Sequence, residues 1–202
     1  MQLKPQNKNQ SEILGSDALA SLSKEDNQAI WKDFKAGDEK AFILLYEQHA
    51  NMLYGYGCRF TADNELVKDC LQDFFVYLRE KREGLGDPAS VKFYLLKAFK
   101  RRVLDYLRKG KKEKEKSQEV IRDGFYSNRM HETVFIQQQD ETKLLNLEKA
   151  LKSLNTKERE AIYYFYYQNL SYEQIAEILD FSYISSARRL IYRSLKKMKA
   201  IL

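Results

Sequence analysis

Ser171-Tyr172-Glu173-Gln174-Ile175-Ala176-Glu177-Ile178-Leu179-Asp180-Phe181-Ser182-Tyr183-Ile184-Ser185-Ser186-Ala187-Arg188-Arg189-Leu190 is the stretch that decides the fold. Ser171 followed three residues later by Gln174 has the spacing of a helix-capping box. Ile175 and Leu179 share one face of the helix that follows, and Ala176 is small enough to let a second helix cross closely. Asp180-Phe181-Ser182 is a turn, because Asp tolerates the left-handed backbone that such a turn requires. Ser182 then caps a second helix from Tyr183 to about Lys199, with Ile184, Ala187, Ile191, Leu195 and Met198 as its apolar stripe. The whole is a helix-turn-helix. From Phe181 to Leu202 the chain holds Arg188, Arg189, Arg193, Lys196, Lys197 and Lys199 and no acid. A helix of one sign attracts phosphates, and residues near its start reach base edges in a major groove. Ser171, Tyr183, Ser185, Ser186, Arg188, Arg189 and Arg193 are the candidate contacts to duplex DNA. The plain alternative is an amphipathic surface helix of a bundle.

Outward from this stretch the chain stays helical. Eight glycines and two prolines among 202 residues leave few breakers, and no sustained two-residue alternation occurs. Ile162-Tyr163-Tyr164-Phe165-Tyr166-Tyr167 could be a strand by composition. Asn155-Thr156 before it caps a helix, however, so the spacing predicts a helix from Glu158 to Asn169. Its tyrosines read mostly as core supporting the motif. The fold class is therefore all-α, with two helical modules at 26–109 and 141–202. A polar linker (110–140) joins them, and a polar tail (1–25) precedes the first.

The first module expects helices at Ala41–Phe60, Asp63–Glu80 and Ala89–Lys109. The second of these buries Leu66, Val67, Cys70, Leu71, Phe74, Phe75 and Leu78, leaving Asp69, Gln72 and Asp73 outside the core. Without a histidine, a glycine-rich loop or a third carboxylate nearby, that pair of acids reads as a protein-docking patch rather than a catalytic one. Gly84-Leu85-Gly86-Asp87-Pro88 breaks the pattern, with Asp87 as a cap and Pro88 at the first helical position. On the helix beyond, Lys97, Lys100, Arg101 and Arg108 fall on the outer side, with Phe93 and Tyr94 near its start. Aromatics beside cations suit unstacked, single-stranded nucleic acid.

Composition narrows the function classes. No apolar run is long enough to span a membrane and the first ten residues lack a signal-peptide core, so no membrane insertion and a cytoplasmic location are expected. Two cysteines and two histidines do not make a metal site, and no cofactor or catalytic constellation is expected. A net charge of +6 suits a polyanionic partner.

Two spans together resemble the extracytoplasmic-function (ECF) group of bacterial RNA polymerase sigma factors. The first is Ala41-Phe42…Leu45-Tyr46…Leu53-Tyr54 with Asp69-Cys70-Leu71-Gln72-Asp73-Phe74-Phe75. The second is Leu147-Glu148-Lys149-Ala150-Leu151…Leu154, Glu158-Arg159-Glu160 and Asn169-Leu170-Ser171-Tyr172-Glu173-Gln174-Ile175-Ala176-Glu177-Ile178-Leu179. The segment Ser182–Arg193 is similar to members from Bacteroidetes-type bacteria. The resemblance implies a non-enzymatic, dissociable promoter-specificity subunit. Its first module (region 2) would dock on the clamp of the largest core polymerase subunit through Asp69, Gln72 and Asp73. It would capture the −10 promoter element with Phe93, Tyr94, Lys97, Lys100, Arg101 and Arg108. Its second module (region 4) would read the −35 element as duplex. Many members are held inactive by a membrane-anchored anti-sigma protein. Four positions depart from the family pattern: Asn155 for proline, Asp180 for glycine, Tyr94 for tryptophan and Asp73 for glutamate. The competing reading from the residues alone is a stand-alone helix-turn-helix regulator that never binds polymerase.

Overall fold

The computed structural model describes residues 24–114 and 141–202. The tail expected at 1–25 lies outside these residues up to 23, and the linker does so from 115 to 140. Among the described residues the fold is helical without strands, in the order α1 (Lys24–Lys35), α2 (Glu39–Gly57), α3 (Asn64–Lys81), a 3-10 turn (Arg82–Gly84), α4 (Val91–Lys114), α5 (Glu141–Lys152), α6 (Thr156–Ile162), a π-helical turn (Tyr163–Tyr167), α7 (Tyr172–Ile178) and α8 (Ile184–Lys199).

Local chemistry sets most of the helix starts. Asp38 accepts from the Lys40 backbone N–H and opens α2; Asp63 accepts from Leu66 N–H and opens α3. Full capping boxes, Asn155 with Glu158 and Ser171 with Gln174, open α6 and α7. Two expected starts move. The Ser90 hydroxyl accepts from Phe93 N–H at 3.3 Å, so α4 begins at Val91, beyond Pro88. Asp87 instead pairs with Lys35 at 2.7 Å. Helix α8 begins at Ile184 after Tyr183, which makes no side-chain cap bond, so Ser182 is not its cap.

The first module packs α1–α4 around Trp31, Phe34, Leu45, Leu53, Phe74, Leu78, Leu95 and Phe99, all buried. Gly57 ends α2 where a Cβ would stand 2.7 Å from Val67 Cγ1, so only glycine allows this crossing. Trp31 fastens the loop before α4 by donating its indole N–H to the Gly86 carbonyl at 3.0 Å. In the second module α8 packs on α6 and α7 through Ala187, Leu190, Ile191 and Met198. Leu190 belongs to this face although the expected stripe omits it, and Ile184 is 44% exposed because it sits at the helix tip.

The tyrosine run is not a plain α-helix. Gln168 N–H reaches back to the Tyr163 carbonyl and Leu170 N–H to that of Tyr164, so the last turn widens into a π-turn. Asn169 leaves it with φ +53°, and Asp180 turns α7 into α8 with φ +56°. The widening directs Tyr163 and Tyr164 inward while Tyr166 remains exposed.

His49 is buried in α2, and burial, with the charge of Lys92 adding to it, pushes its pKa down from 6.5 to about 4. Between those values the unfolded chain binds the extra proton, so stability rises with pH there. Acidifying from pH 6.5 to 4 is expected to remove about 3 kcal/mol at this site. Urea titrations of the wild type and His49→Gln test it: the variant should lose much of the pH slope in this window, and an equal slope would assign the effect elsewhere.

Candidate functional site

Three surfaces carry the candidate residues. On α3, Asp69, Gln72 and Asp73 are all exposed, opposite the buried Val67, Cys70, Leu71 and Phe74. The Tyr106 hydroxyl of α4 donates to Asp73 Oδ2, which pins the shortened acid and, with burial adding, raises the Tyr106 pKa. Gln72 also borders a groove of about 810 Å³ whose apolar walls include Phe42, Tyr46, Leu71, Phe75 and Val76. Tyr46 and Val76 are not among the expected docking residues. Both are about half exposed, at 45% and 48%; Val76 lies one turn from Gln72 on α3, a spacing that could have found it, whereas Tyr46 comes from α2 and no local spacing connects it.

The helix-turn-helix surface is open. Ser171, Tyr183, Ser185, Arg188, Arg189 and Arg193 are exposed and Ser186 is half-buried. Tyr183, just before the start of α8, is 71% exposed. The Arg188 guanidinium lies 5.2 Å from the Tyr172 ring centroid, which joins α7 to the start of α8. Phe181 N–H donates to the Ala176 carbonyl at 2.8 Å, tying the turn tightly to α7. Arg193 is exposed, and its Nε lies 3.4 Å from Glu158 Oε1.

Glu158 is fully buried and accepts from Lys197 Nζ at 2.7 and 2.9 Å and from Asn155 N–H at 3.0 Å. Burial pulls its carboxyl pKa up, but the Lys197 hydrogen bond, the Asn155 backbone and the charges of Lys197 and Arg193 together hold it below the usual value. One carboxylate thus completes the α6 capping box and fixes the basic helix α8 against α6.

The third surface is the basic face of α4, where Lys97, Arg101 and Arg108 are exposed and Lys100 is half-buried. Phe93 and Tyr94 are half-buried, Tyr94 lying edge-on to Trp31 at 5.3 Å. Arg101 and Arg108 are exposed, with Arg108 pairing to Asp105 at 2.9 Å. Lys97 is exposed and Lys100 half-buried, and both meet carboxylates of the second module, which packs over this side of α4. Lys97 Nζ lies 2.6 Å from Glu177 of α7, and Lys100 Nζ lies 2.7 Å from Glu160 of α6 and donates to the Ile178 carbonyl at 3.2 Å. Lys92 joins them by donating to the Gln168 carbonyl at 3.0 Å, and burial lowers its pKa. These three lysines span an arc of about 140° around α4 at 3.6 residues per turn. Lys92 could have been found by that periodicity.

Beside these pairs runs an aromatic seam. The hydroxyls of Tyr56 on α2 and Tyr164 on the π-turn hydrogen-bond to each other inside the protein, and Tyr164 also donates to Glu160 at 3.4 Å. The ring of Tyr56 stacks parallel to that of Tyr163 at 5.9 Å, and the Arg59 guanidinium lies 4.1 Å over Tyr163. Burial, then the negative charge of Glu160, pushes the Tyr56 pKa well up, so its hydroxyl stays protonated as a donor.

Comparison with known proteins gives a consistent picture. The model of sigma-70 region 2 matches residues 45–113 and that of sigma-70, region 4 matches residues 144–198. The ECF RNA polymerase sigma factor SigM of Bacillus subtilis is 26% identical over 157 residues, covering 78% of this chain and 92% of SigM. The ECF RNA polymerase sigma factor SigK of Mycolicibacterium vanbaalenii is 28% identical over 194 residues, covering 93% and 96%. Two solved structures share the fold. The sigma factor RpoE in complex with the anti-sigma factor NepR, from Bartonella quintana, has a TM-score of 0.54 at 18% identity over 81% of this chain and 94% of its own. CnrH in complex with the cytosolic domain of CnrY has a TM-score of 0.55 at 19% identity over 86% and 95%.

Removal of the buried carboxylate tests its role in holding α8. Glu158→Ala is expected to cost about 1–3 kcal/mol of stability in urea denaturation, from a lost charged hydrogen bond and half a capping box. Arg193→Ala, which removes an exposed partner, is expected to cost under about 1 kcal/mol. Equal losses for the two would show that Glu158 has no special place.

Proposed function

Because the chain belongs to the ECF group of the sigma-70 family, we propose that its two modules divide the promoter between them, 26–109 serving the −10 element and 141–202 the −35 element. The protein is an alternative sigma factor, a non-enzymatic subunit that binds core RNA polymerase and directs promoter recognition and transcription initiation. It works in the cytoplasm, with the polymerase and the chromosome; among the described residues no helix is long and apolar enough to cross a membrane. An anti-sigma protein, the kind of partner that RpoE of Bartonella quintana holds in its solved structure, belongs to the same proposal.

Asp69, Gln72 and Asp73 would dock on the polymerase clamp. The observation that carries this assignment is their exposure together on one face of α3, in the module without the helix-turn-helix. A stand-alone regulator has no use for such a patch. Phe93, Tyr94, Lys97, Lys100, Arg101 and Arg108 would hold the opened −10 strand through stacking and phosphate contacts. Ser171, Tyr183, Ser185, Ser186, Arg188 and Arg189 would meet the −35 duplex, with Arg193 reaching phosphate at the rim of the Glu158 pair.

Co-elution with sigma-free bacterial core polymerase on a sizing column tests the docking face. Stoichiometric co-elution is expected for the wild type and its loss for Asp69→Arg, with the helical circular dichroism of the variant unchanged. Retained binding by the folded variant would sink the assignment. On duplex DNA carrying the cognate element, Arg188→Ala or Arg189→Ala is expected to weaken binding by about 1–3 kcal/mol if the side chain reads a base. An equal loss on every sequence would make that residue a phosphate contact instead.

A further inference from the structure

Arg188, near the start of α8, rests on a ring from the helix before it. Its guanidinium lies 5.2 Å from the Tyr172 ring centroid. Tyr172 in turn stacks on Phe165, with centroids 5.1 Å apart and planes 21° apart, and Tyr166 meets Phe165 edge-on at 5.0 Å. A ladder of rings thus leads from the π-turn to the exposed face of α8.

Short backbone features fix both ends of this contact. Leu170 N–H reaches back to the Tyr164 carbonyl at 3.0 Å and Asn169 is left-handed at φ +53°, so the chain leaving the π-turn folds back on it. Tyr172 is the first residue of α7, directly after the Ser171 cap, and this return lays its ring on Phe165. On the other side, Asp180 at φ +56° and the 2.8 Å bond from Phe181 N–H to the Ala176 carbonyl set α8 against α7. Arg188 stands four residues beyond Ile184, one turn into α8, where side chains of a reading helix reach base edges. Glu173 lies within reach of the same guanidinium. A bond to Ser171 and its own backbone hold the Glu173 carboxyl below the usual range, and the Arg188 charge adds to this. Arg189 is held differently: its Nε donates to the Ser185 carbonyl of its own helix at 3.4 Å.

A supported arginine binds differently from a free one. A long side chain that samples many rotamers must be ordered when it grips a base, which costs on the order of two- to tenfold in affinity. A guanidinium is attracted to an aromatic face and can stack on it while its N–H groups remain available at its edge. The fork then keeps one orientation before DNA arrives. Guanine needs that orientation, because it takes two hydrogen bonds from the fork at once; a phosphate accepts a cation from many directions.

We propose that Tyr172 is a positioning residue for −35 recognition: stacked on Phe165, it holds the Arg188 guanidinium in the orientation that grips a base. This rests on the −35 reading of Arg188. The test uses the full chain reconstituted with sigma-free bacterial core polymerase. The probes are a labelled duplex that the wild-type holoenzyme enriches from a random-sequence pool and a scramble of the same composition. Fluorescence anisotropy gives the affinity for each, and circular dichroism of the free chain checks folding.

Tyr172→Leu should weaken binding to the enriched duplex about three- to tenfold and leave the scramble unchanged. Tyr172→Phe, which keeps the ring, should restore wild-type binding. In an Arg188→Ala background Tyr172→Leu should change nothing further, whereas in an Arg189→Ala background its full effect should remain. A ring that merely supported α8 as a whole would couple to both arginines alike. Additive losses with Arg188→Ala, an equal loss on both duplexes, or a loss with Tyr172→Phe as large as with Tyr172→Leu would overturn the positioning role. Arg188→Ala without effect on the enriched duplex, or a pool that the wild type leaves unenriched, would instead overturn the −35 reading beneath it. If Tyr172→Leu loses helical circular dichroism, Phe165→Leu, which removes the support and keeps Tyr172, takes its place in the same cycle with the same expected outcomes.

Discussion

The Lys100–Glu160 ion pair, with the Tyr56–Tyr164 hydroxyl bond beside it, sets the relation between the two modules. Apolar contact alone would let two helical bundles slide, because hydrophobic burial has no direction. Four polar groups in a dry seam have direction, and each costs free energy unless its partner is in place. The seam therefore fixes where α6 lies on α4. Through α7 it also fixes where the DNA-reading helix points.

Sequence reasoning recovered what is local. The boxes at Asn155 and Ser171, the left-handed Asp180 and the outward set Asp69, Gln72 and Asp73 each follow from residues within one or two helical turns. The ECF resemblance drew on the same local patterns, and the matches to sigma-70 regions 2 and 4 agree with it. What escaped is non-local or a departure from regular geometry. Glu160 and Lys100 are sixty positions apart, and no periodicity connects them. The π-turn follows from where Tyr163 and Tyr164 must pack, while their composition fits a helix or a strand equally. The start of α4 was misplaced because Asp87 found a cation on α1, leaving Ser90 to accept from the first turn.

Like charges are arranged differently on the two basic faces. On α8 the exposed arginines 188 and 189 stand over a helix fastened from beneath by Glu158. There the carboxylate takes Lys197 in the last turn, which holds the helix without covering its exposed start. On α4 the carboxylates take the lysines at the centre of the face. Rigidity below a surface prepares it for a ligand, because less ordering remains to be done on binding.

The π-turn at Tyr163–Tyr167 gives this arrangement a particular sensitivity to length. A π-turn holds one residue more than the α-helical path it replaces. Loss of a single codon in the tyrosine run would let the segment relax to an ordinary helix while both hydrophobic cores kept their residues. The side chains after the deletion would rotate by about 100° at 3.6 residues per turn, carrying tyrosine hydroxyls away from Tyr56. Homologues that differ by one residue here would then share a fold yet differ in how firmly their halves adhere.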